Sequence, residues 1–88
     1  MPPLHCLFVT PHGTVHDEPV WQITVPGAEG RFSIRAGHAP VLTTITGGLL
    51  EIARTEKERF SYSVTAAVVE MNDNRCRITA DEAVQTEK

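Results

Sequence analysis

Four histidines are the residues of this chain best suited to direct chemistry, because neutral imidazole is a common ligand of zinc and copper. The histidines and the donor residues beside them are His5, Cys6, His12, His16, Asp17, Glu18 and His38. The spacing of His12 and His16 is compatible with one strand face and with a metal site there. The other interpretation is surface histidines without a ligand, because Gly13 places a turn between these two.

His38 has a different setting, because it lies between Gly37 and the rigid pair Ala39-Pro40. Such neighbours fix the backbone of a turn and leave the imidazole ring exposed. Two interpretations fit these residues equally well. His38 is either a turn residue whose ring nitrogen bonds a nearby carbonyl, or a recognition contact for a partner.

Catalytic motifs are missing from the sequence. The chain has no Gly-x-Ser-x-Gly segment, no phosphate-binding glycine loop followed by lysine and no His-Glu-x-x-His segment. The sequence therefore predicts a chain that is not an enzyme by itself, with no catalytic residues and no cofactor.

The composition predicts a single globular domain over residues 1–88. Hydrophobic residues make up 41% of the 88 residues and charged residues 22%, which is ordinary for a folded domain of this size. The net charge is −3, and the basic residues are scattered from Arg31 to Lys88. No positive stripe is available for a phosphate backbone, so we expect no nucleic-acid partner.

No segment of the sequence has the pattern of a transmembrane helix or a secretory signal. A long uncharged run, 36–50, contains His38 and Pro40 and falls short of the roughly 18 apolar residues that a membrane span needs. The first five residues lack the basic region and apolar run of a secretory signal. We therefore expect the chain to stay in the compartment where it is made.

The two cysteines, Cys6 and Cys76, lie within apolar runs and lack the spacing of a redox or metal motif. Their setting favours two buried, reduced thiols. A single bridge between them is the alternative, if the terminal strands are neighbours.

Apolar residues recur with a period of two, and turn residues interrupt them at short intervals. This pattern is typical of an all-β sandwich or barrel. The apolar residues that share a face of their strand are Leu4, Cys6, Phe8, Trp21, Ile23, Val25, Phe60, Tyr62, Val64, Cys76, Ile78 and Ala80. The first strand also carries Leu7 and Val9 on its other face, which predicts a position inside the fold or against a partner.

Several turns are readable from the sequence. Gly47-Gly48 supplies the positive-φ positions of a predicted hairpin between strands 41–45 and 49–54. Further turns are predicted at the charged run 55–59 and at 72–74. The polar tail, 81–88, is expected either to fray or to begin a short helix.

The segment from Gly27 to Thr43 carries a more specific pattern than these elements. Its residues, with two further positions, are Gly27-Ala28-Glu29-Gly30, Ile34, Gly37-His38-Ala39-Pro40-Val41-Leu42-Thr43, Gly48 and Ile52. This pattern resembles the amino-terminal domain of the epsilon subunits of F-type ATP synthases, and the resemblance runs from Leu4 to about Gln85. It implies a flattened sandwich of about ten short strands in two sheets.

The resemblance also implies a function. Epsilon subunits form the central stalk together with the gamma subunit, between the catalytic head and the membrane ring of c subunits, and pass on torque without bond chemistry. A member of this family is therefore expected to be a non-catalytic rotor subunit in ATP synthesis driven by a proton-motive force. It would lie at the cytoplasmic face of a bacterial inner membrane or at the stromal face of a thylakoid, attached through the complex.

Contact residues follow from the same resemblance. The positions that match gamma contacts in the family are Thr10, His38, Pro40, Val41 and Thr43. The positions that match the loop facing the c-ring are Glu29, Gly30, Arg31 and Phe32. The competing hypothesis is an independent sandwich that binds a metal or a small ligand through its histidines.

Three departures from the family pattern stand out. Arg31 occupies a position that is acidic in many relatives, and Ala66-Ala67 replaces a pair of glycines. Two alanines require an extended backbone at that position. The sequence also stops where relatives continue into an inhibitory helical hairpin, which implies transmission of torque without that means of blocking ATP hydrolysis.

Overall fold

The computed structural model describes residues 3–86, and this part of the chain forms ten strands. Their bounds are β1 (Leu4–Thr10), β2 (Gly13–Val20), β3 (Gln22–Gly27), β4 (Gly30–Ile34), β5 (Val41–Ile45), β6 (Gly48–Ala53), β7 (Arg59–Val64), β8 (Ala67–Asn72), β9 (Arg75–Ala80) and β10 (Ala83–Thr86). The first sheet has the order β2-β1-β9-β8-β5, and the second has the order β10-β7-β6-β3-β4. The predicted sandwich of ten short strands in two sheets is confirmed. Residues 3–86 contain no helix that is long and apolar enough to cross a membrane.

The core lies between the two sheets and is built from alternating side chains, as the period of two predicts. On β9 the burial alternates strictly, with Cys76, Ile78 and Ala80 inside. The largest side chains with less than 2% exposure are Leu4, Phe8, Ile23, Ile34, Leu50, Ile52, Met71 and Ile78. Burying such side chains contributes roughly 1.5–3 kcal/mol each, which makes this layer the main source of stability.

The first strand is interior to its sheet, between β2 and β9. Its pairing with β9 is parallel, and Cys6 lies opposite Cys76 in that register. Both cysteines are buried and unbridged in the structure, the setting that favours reduced thiols. Burial raises the pKa of the Cys76 thiol to about 12, which keeps it protonated at neutral pH.

The Gly47-Gly48 segment is not the hairpin that the sequence predicts. Both glycines have positive φ, 150° and 137°. However, β5 pairs with β8 in the first sheet, whereas β6 pairs with β3 and β7 in the second. The two glycines therefore carry the chain from one sheet to the other, because a sharp change of direction needs the same backbone freedom as a hairpin turn.

The tail also differs from its prediction. Residues 83–86 form β10, which pairs antiparallel with β7 from Ala83 opposite Val64 to Thr86 opposite Ser61. The residues at 81 and 82 precede this strand, and 87 and 88 lie outside the described residues. A free edge of β7 supplies the hydrogen-bond partners that an isolated eight-residue segment lacks.

Trp21 is not part of the core face of a strand. It lies half-buried in the bend between β2 and β3. The guanidinium carbons of Arg35 and Arg59 lie 4.4 Å and 5.5 Å from the centre of its ring. Trp21 is therefore covered by cationic side chains at the end of the second sheet instead of by the core.

The remaining predictions on local structure are confirmed. The charged run 55–59 joins β6 to β7, and its tip is held by a hydrogen bond from the Glu58 amide to the Thr55 hydroxyl, 3.0 Å. Residues 72–74 join β8 to β9. Ala66 and Ala67 have negative φ, and Ala67 is buried at the start of β8. Because neither position requires a positive φ, this backbone accommodates two alanines in place of a pair of glycines.

Candidate functional site

The Gly37–Pro40 turn follows β4 and leads into the edge strand β5. Gly37 has a φ of 85°, which a residue with a side chain rarely adopts, and its amide donates to the side-chain oxygen of Asn74, 2.6 Å. The His38 amide donates to the Arg35 carbonyl, 3.1 Å. These two bonds hold the backbone of the turn at its first residues.

The ring of His38 is half-buried, not fully exposed as the sequence predicts. Its Nδ1 lies 2.7 Å from the Ala39 carbonyl, and a carbonyl only accepts, so Nδ1 carries the proton and donates. One of the two open interpretations, a ring nitrogen bonded to a nearby carbonyl, is thus the observed geometry. Within residues 3–86 no partner is found for Nε2, which leaves this atom available to another molecule.

The predicted c-ring loop, Glu29–Phe32, begins at the tip of the hairpin between β3 and β4 and continues into β4. Gly27 pairs with Gly30 at its closing position, so Ala28 and Glu29 form the tip. Glu29, Gly30 and Arg31 are exposed, whereas Phe32 is half-buried. The tip therefore presents one negative and one positive side chain next to an aromatic ring.

This hairpin tip and the predicted gamma contacts form one continuous surface. A depression is lined by the hairpin residues 27–32 and, from the first sheet, by Thr43. The rings of Phe32 and His38 have their centres 6.5 Å apart. Pro40 and Val41 lie between His38 and Thr43 in sequence, exposed and half-buried respectively. The structure thus brings together six of the nine residues predicted as contacts, and Pro40 and Val41 lie on the chain between two of them.

Thr10 is the predicted contact that lies elsewhere. It ends β1, and two strands of the first sheet, β9 and β8, separate β1 from β5. Its hydroxyl accepts a hydrogen bond from the His12 amide, 3.1 Å, and lines a second depression with the residues around the start of β10. At about 4.8 Å for each strand spacing, Thr10 and Thr43 are separated by roughly 14 Å across the sheet.

The histidines do not assemble into a metal site. Among residues 3–86, no three side chains of the His, Cys, Asp and Glu types are placed to hold a metal ion. His5 is paired with Asp17, with 2.6 Å between Nε2 and Oδ1, and His12 is exposed in the turn before β2. The competing hypothesis of a histidine-based metal site is therefore not favoured.

His16 corrects the interpretation of the histidines as surface residues. Only 6% of it is exposed, and it faces the core because it lies opposite the buried Phe8 and in phase with the buried Val20 on the same strand. Its Nε2 lies 2.6 Å from the Tyr62 hydroxyl, and its Nδ1 donates to the Glu18 carboxylate. The side chain thus connects the edge of the first sheet to β7 of the second.

Electrostatics fix the direction of these hydrogen bonds. Burial, followed by the nearby Cys6 and Glu18, raises the pKa of Tyr62, so its hydroxyl stays protonated and donates to His16 Nε2. Arg54 donates to both carboxylate oxygens of Glu18, at 3.0 Å and 3.3 Å. With Nδ1 of His16 bonded to Glu18 and Nε2 bonded to Tyr62, every group of the network has a partner.

Glu18 gives this network a predicted dependence on acid. Burial tends to raise its pKa, but hydrogen bonds from His16 and Arg54 outweigh burial and lower it. A carboxyl group whose pKa is lowered by folding stabilises the folded state at a pH above its unfolded-state pKa, which is about 4.3 for glutamate. This stabilisation is lost as the pH falls through the folded-state pKa. Glu18→Gln should therefore destabilise the fold at pH 7 and flatten the loss of stability below about pH 4.3.

Urea unfolding at a series of pH values between neutral and acid measures this effect. Glu56→Gln is the matched control, because Glu56 is exposed and its carboxylate has no hydrogen bond to the rest of residues 3–86. Equal pH profiles for the two variants would show that Glu18 does not contribute through its charge.

Comparisons with known proteins agree with this architecture. Residues 3–86 match the family model described as ATP synthase, Delta/Epsilon chain, beta-sandwich domain. The ATP synthase epsilon chain of Chelativorans sp. (strain BNC1) is 31% identical over 81 residues, which covers 92% of this chain and 60% of that relative. This chain thus spans about three fifths of the length of that relative.

Solved structures show the same fold at lower sequence identity. A chain of the Euglena gracilis mitochondrial ATP synthase, solved as OSCP/F1/c-ring, matches with a TM-score of 0.86 and 24% identity over 97% of this chain and 56% of its own. A chain of the Tetrahymena thermophila mitochondrial ATP synthase, solved as central stalk/c-ring, has a TM-score of 0.80 and 19% identity over 94% of this chain and 66% of its own. With its ten-stranded sandwich and the family match over residues 3–86, this chain belongs to the family of ATP synthase delta/epsilon chains.

Proposed function

We propose that this chain is a non-catalytic subunit of the central stalk of an F-type ATP synthase, which links the gamma subunit to the c-ring and transmits torque. The observation that carries the proposal is the family match, which extends over the whole sandwich at residues 3–86. The similar chain of Tetrahymena thermophila comes from a central stalk/c-ring assembly, which supports the same place for this one. The complex would hold the chain at the periphery of the membrane, on the cytoplasmic side in a bacterium.

The c-ring contact in this proposal is the β3–β4 hairpin tip, Glu29–Phe32. Glu29 and Arg31 are exposed at the tip and offer a charge of either sign to a polar loop. Arg31 replaces an acidic residue of many relatives, so the ring loop that it meets should offer an acceptor such as a carboxylate or a carbonyl.

The gamma contact comprises His38, Pro40, Val41 and Thr43, with Thr10 at a distance across the first sheet. A gamma subunit that reaches both Thr43 and Thr10 must span β8 and β9, which separate β5 from β1. Two apolar side chains near this path, Leu42 and Val68, are 70% and 40% exposed. Covering them would contribute binding energy that does not depend on charge.

Torque transmission needs a body that does not shear between its two partners. The two sheets share one continuous core, and the His16–Tyr62 hydrogen bond joins them near their β2 and β10 edges. Contacts at the hairpin tip and at the His38 turn are adjacent on this body, so a load on one is passed to the other over a short path.

A substitution at His38 tests the gamma contact. His38→Glu replaces a ring that donates to the Ala39 carbonyl with a carboxylate, which cannot donate. The substitution should weaken gamma binding by about tenfold, an effect typical of a residue at the centre of an interface. Calorimetric titration of the purified gamma subunit measures the affinity, and circular dichroism confirms that the variant is folded.

The matched control is Lys57→Glu, which places a carboxylate in the exposed turn between β6 and β7, at the opposite end of β3 from the hairpin tip. It should bind gamma as the unmodified chain does. Unchanged affinity of His38→Glu would remove His38 from the interface. Failure of the unmodified chain to bind gamma would overturn the proposed function.

A further inference from the structure

Asn74 connects three segments that are far apart in sequence. It is the second of two residues in the left-handed region in the β8–β9 turn, with Asp73 at φ 53° and Asn74 at φ 60°. Its backbone carbonyl accepts from the His5 amide, 2.8 Å, at the start of β1. Its side-chain oxygen accepts from the Gly37 amide, 2.6 Å, in the turn before β5.

The Gly37–Pro40 turn has few other constraints. Its residues lie between β4 and β5 and belong to neither ladder. Pro40 has no amide proton, and within residues 3–86 the Ala39 amide has no recorded acceptor. The Asn74 bond is therefore the only one that ties the backbone of this turn to a distant part of the described chain, since the Arg35 bond is local.

We propose that Asn74 is a positioning residue for His38: its side-chain oxygen holds the Gly37 amide and thereby fixes the His38 ring in the orientation that the gamma subunit recognises. The proposal rests on the proposed function of this turn. Asn74 itself need not touch gamma. Its effect on affinity comes from ordering the turn before the encounter, which removes part of the entropy cost of binding.

The residue type at position 74 meets two requirements at once. Asparagine tolerates the left-handed region better than other residues with a side chain, and its amide oxygen supplies an acceptor. Glycine meets the first requirement alone, and aspartate meets both. Asn74→Gly thus removes the acceptor while it keeps the turn and the backbone carbonyl that bonds His5.

The adjacent turn residue provides a matched control. Asp73 has nearly the same φ as Asn74, and no side-chain hydrogen bond of Asp73 to another part of residues 3–86 is recorded. Asp73→Gly therefore makes the same change in chain flexibility in the same turn without loss of the Gly37 bond.

Two measurements test the proposal. Amide hydrogen exchange in the isolated chain reports the Gly37 bond, and titration with the gamma subunit reports recognition. In the unmodified chain, the Gly37 amide should exchange at least about tenfold more slowly than the unbonded Ala39 amide. Asn74→Gly should remove this protection and weaken gamma binding about three- to tenfold, whereas Asn74→Asp and Asp73→Gly should retain both.

The possible results separate this inference from the proposed function. The positioning role is overturned, without reference to gamma, if the Gly37 amide of the unmodified chain is not protected from hydrogen exchange. It is also overturned if this amide stays protected in Asn74→Gly. Lost protection with unchanged gamma affinity overturns the link to recognition, while the proposed function stands. If the unmodified chain protects Gly37 but does not bind gamma, the proposed function fails and the recognition role of Asn74 fails with it. Thermal unfolding of each variant shows whether its fold is intact. The exchange result for the unmodified chain remains a test even if a variant does not fold.

Discussion

Replacement of Phe8 by alanine is expected to lower the free energy of unfolding by about 3–5 kcal/mol. Phe8 is fully buried on β1, and its ring packs edge-on against Tyr62 with 5.3 Å between centroids and parallel to His16 at 6.4 Å. The substitution removes apolar contacts with both sheets and leaves a cavity that a close-packed sandwich cannot fill. Stabilities of small domains are about 5–15 kcal/mol in total, so a large part of the margin is lost.

Urea unfolding followed by circular dichroism gives this difference from the shift in midpoint at an unchanged slope. Phe32→Ala is the control, because Phe32 carries the same side chain but is half-buried at the edge of the core. It should cost clearly less. Equal losses for the two variants would show that burial at Phe8 does not determine the stability of this fold.

The His16–Tyr62 pair gives the second large expected effect. His16→Leu leaves the Tyr62 hydroxyl buried without its acceptor, and Tyr62→Phe leaves His16 Nε2 without its donor. Each single change should cost about 1–3 kcal/mol, because an unsatisfied buried polar group loses its solvation without compensation. The double variant removes both groups and should cost less than the sum of the two.

A double-mutant cycle of unfolding free energies measures the coupling between these two side chains. We expect a coupling of at least about 0.5 kcal/mol, the lower end for residues in direct contact. Additive losses would show that the bond between the two sheets contributes nothing beyond the packing of each ring. The Glu18–Arg54 contacts are common to all four proteins, so they do not enter the difference.

Much of the fold could be predicted from the sequence, because burial in a sandwich follows the period of the strands. The alternation on β9 and the turn at 72–74 illustrate this agreement. Other features depend on partners that are distant in sequence. Gly47-Gly48 has the residue types of a hairpin, and only the pairing of β5 with β8 shows that it crosses between sheets. The short polar strand Ala83–Thr86 exists because β7 offers it a free edge.

The candidate site shows the same division. The residues from Gly27 to Thr43 form a recognisable local pattern, and the predicted contacts Glu29–Phe32, His38 and Thr43 within it lie on one surface. The separation of Thr10 from this surface depends on the strand order of the first sheet, which no local pattern contains. The contact between Asn74 and Gly37 was missed for a similar reason, although an asparagine in a turn was the available signal.

The parallel pairing of β1 with β9 has a consequence for synthesis of the chain. Strand β1 cannot take its place between β2 and β9 until residues 75–80 have also left the ribosome. Until then, a strand with apolar residues on both faces is exposed, and its closure requires a contact between residues about 70 positions apart in sequence. Folding of the sandwich should therefore be limited by this late closure, with β1 as the segment most in need of a chaperone.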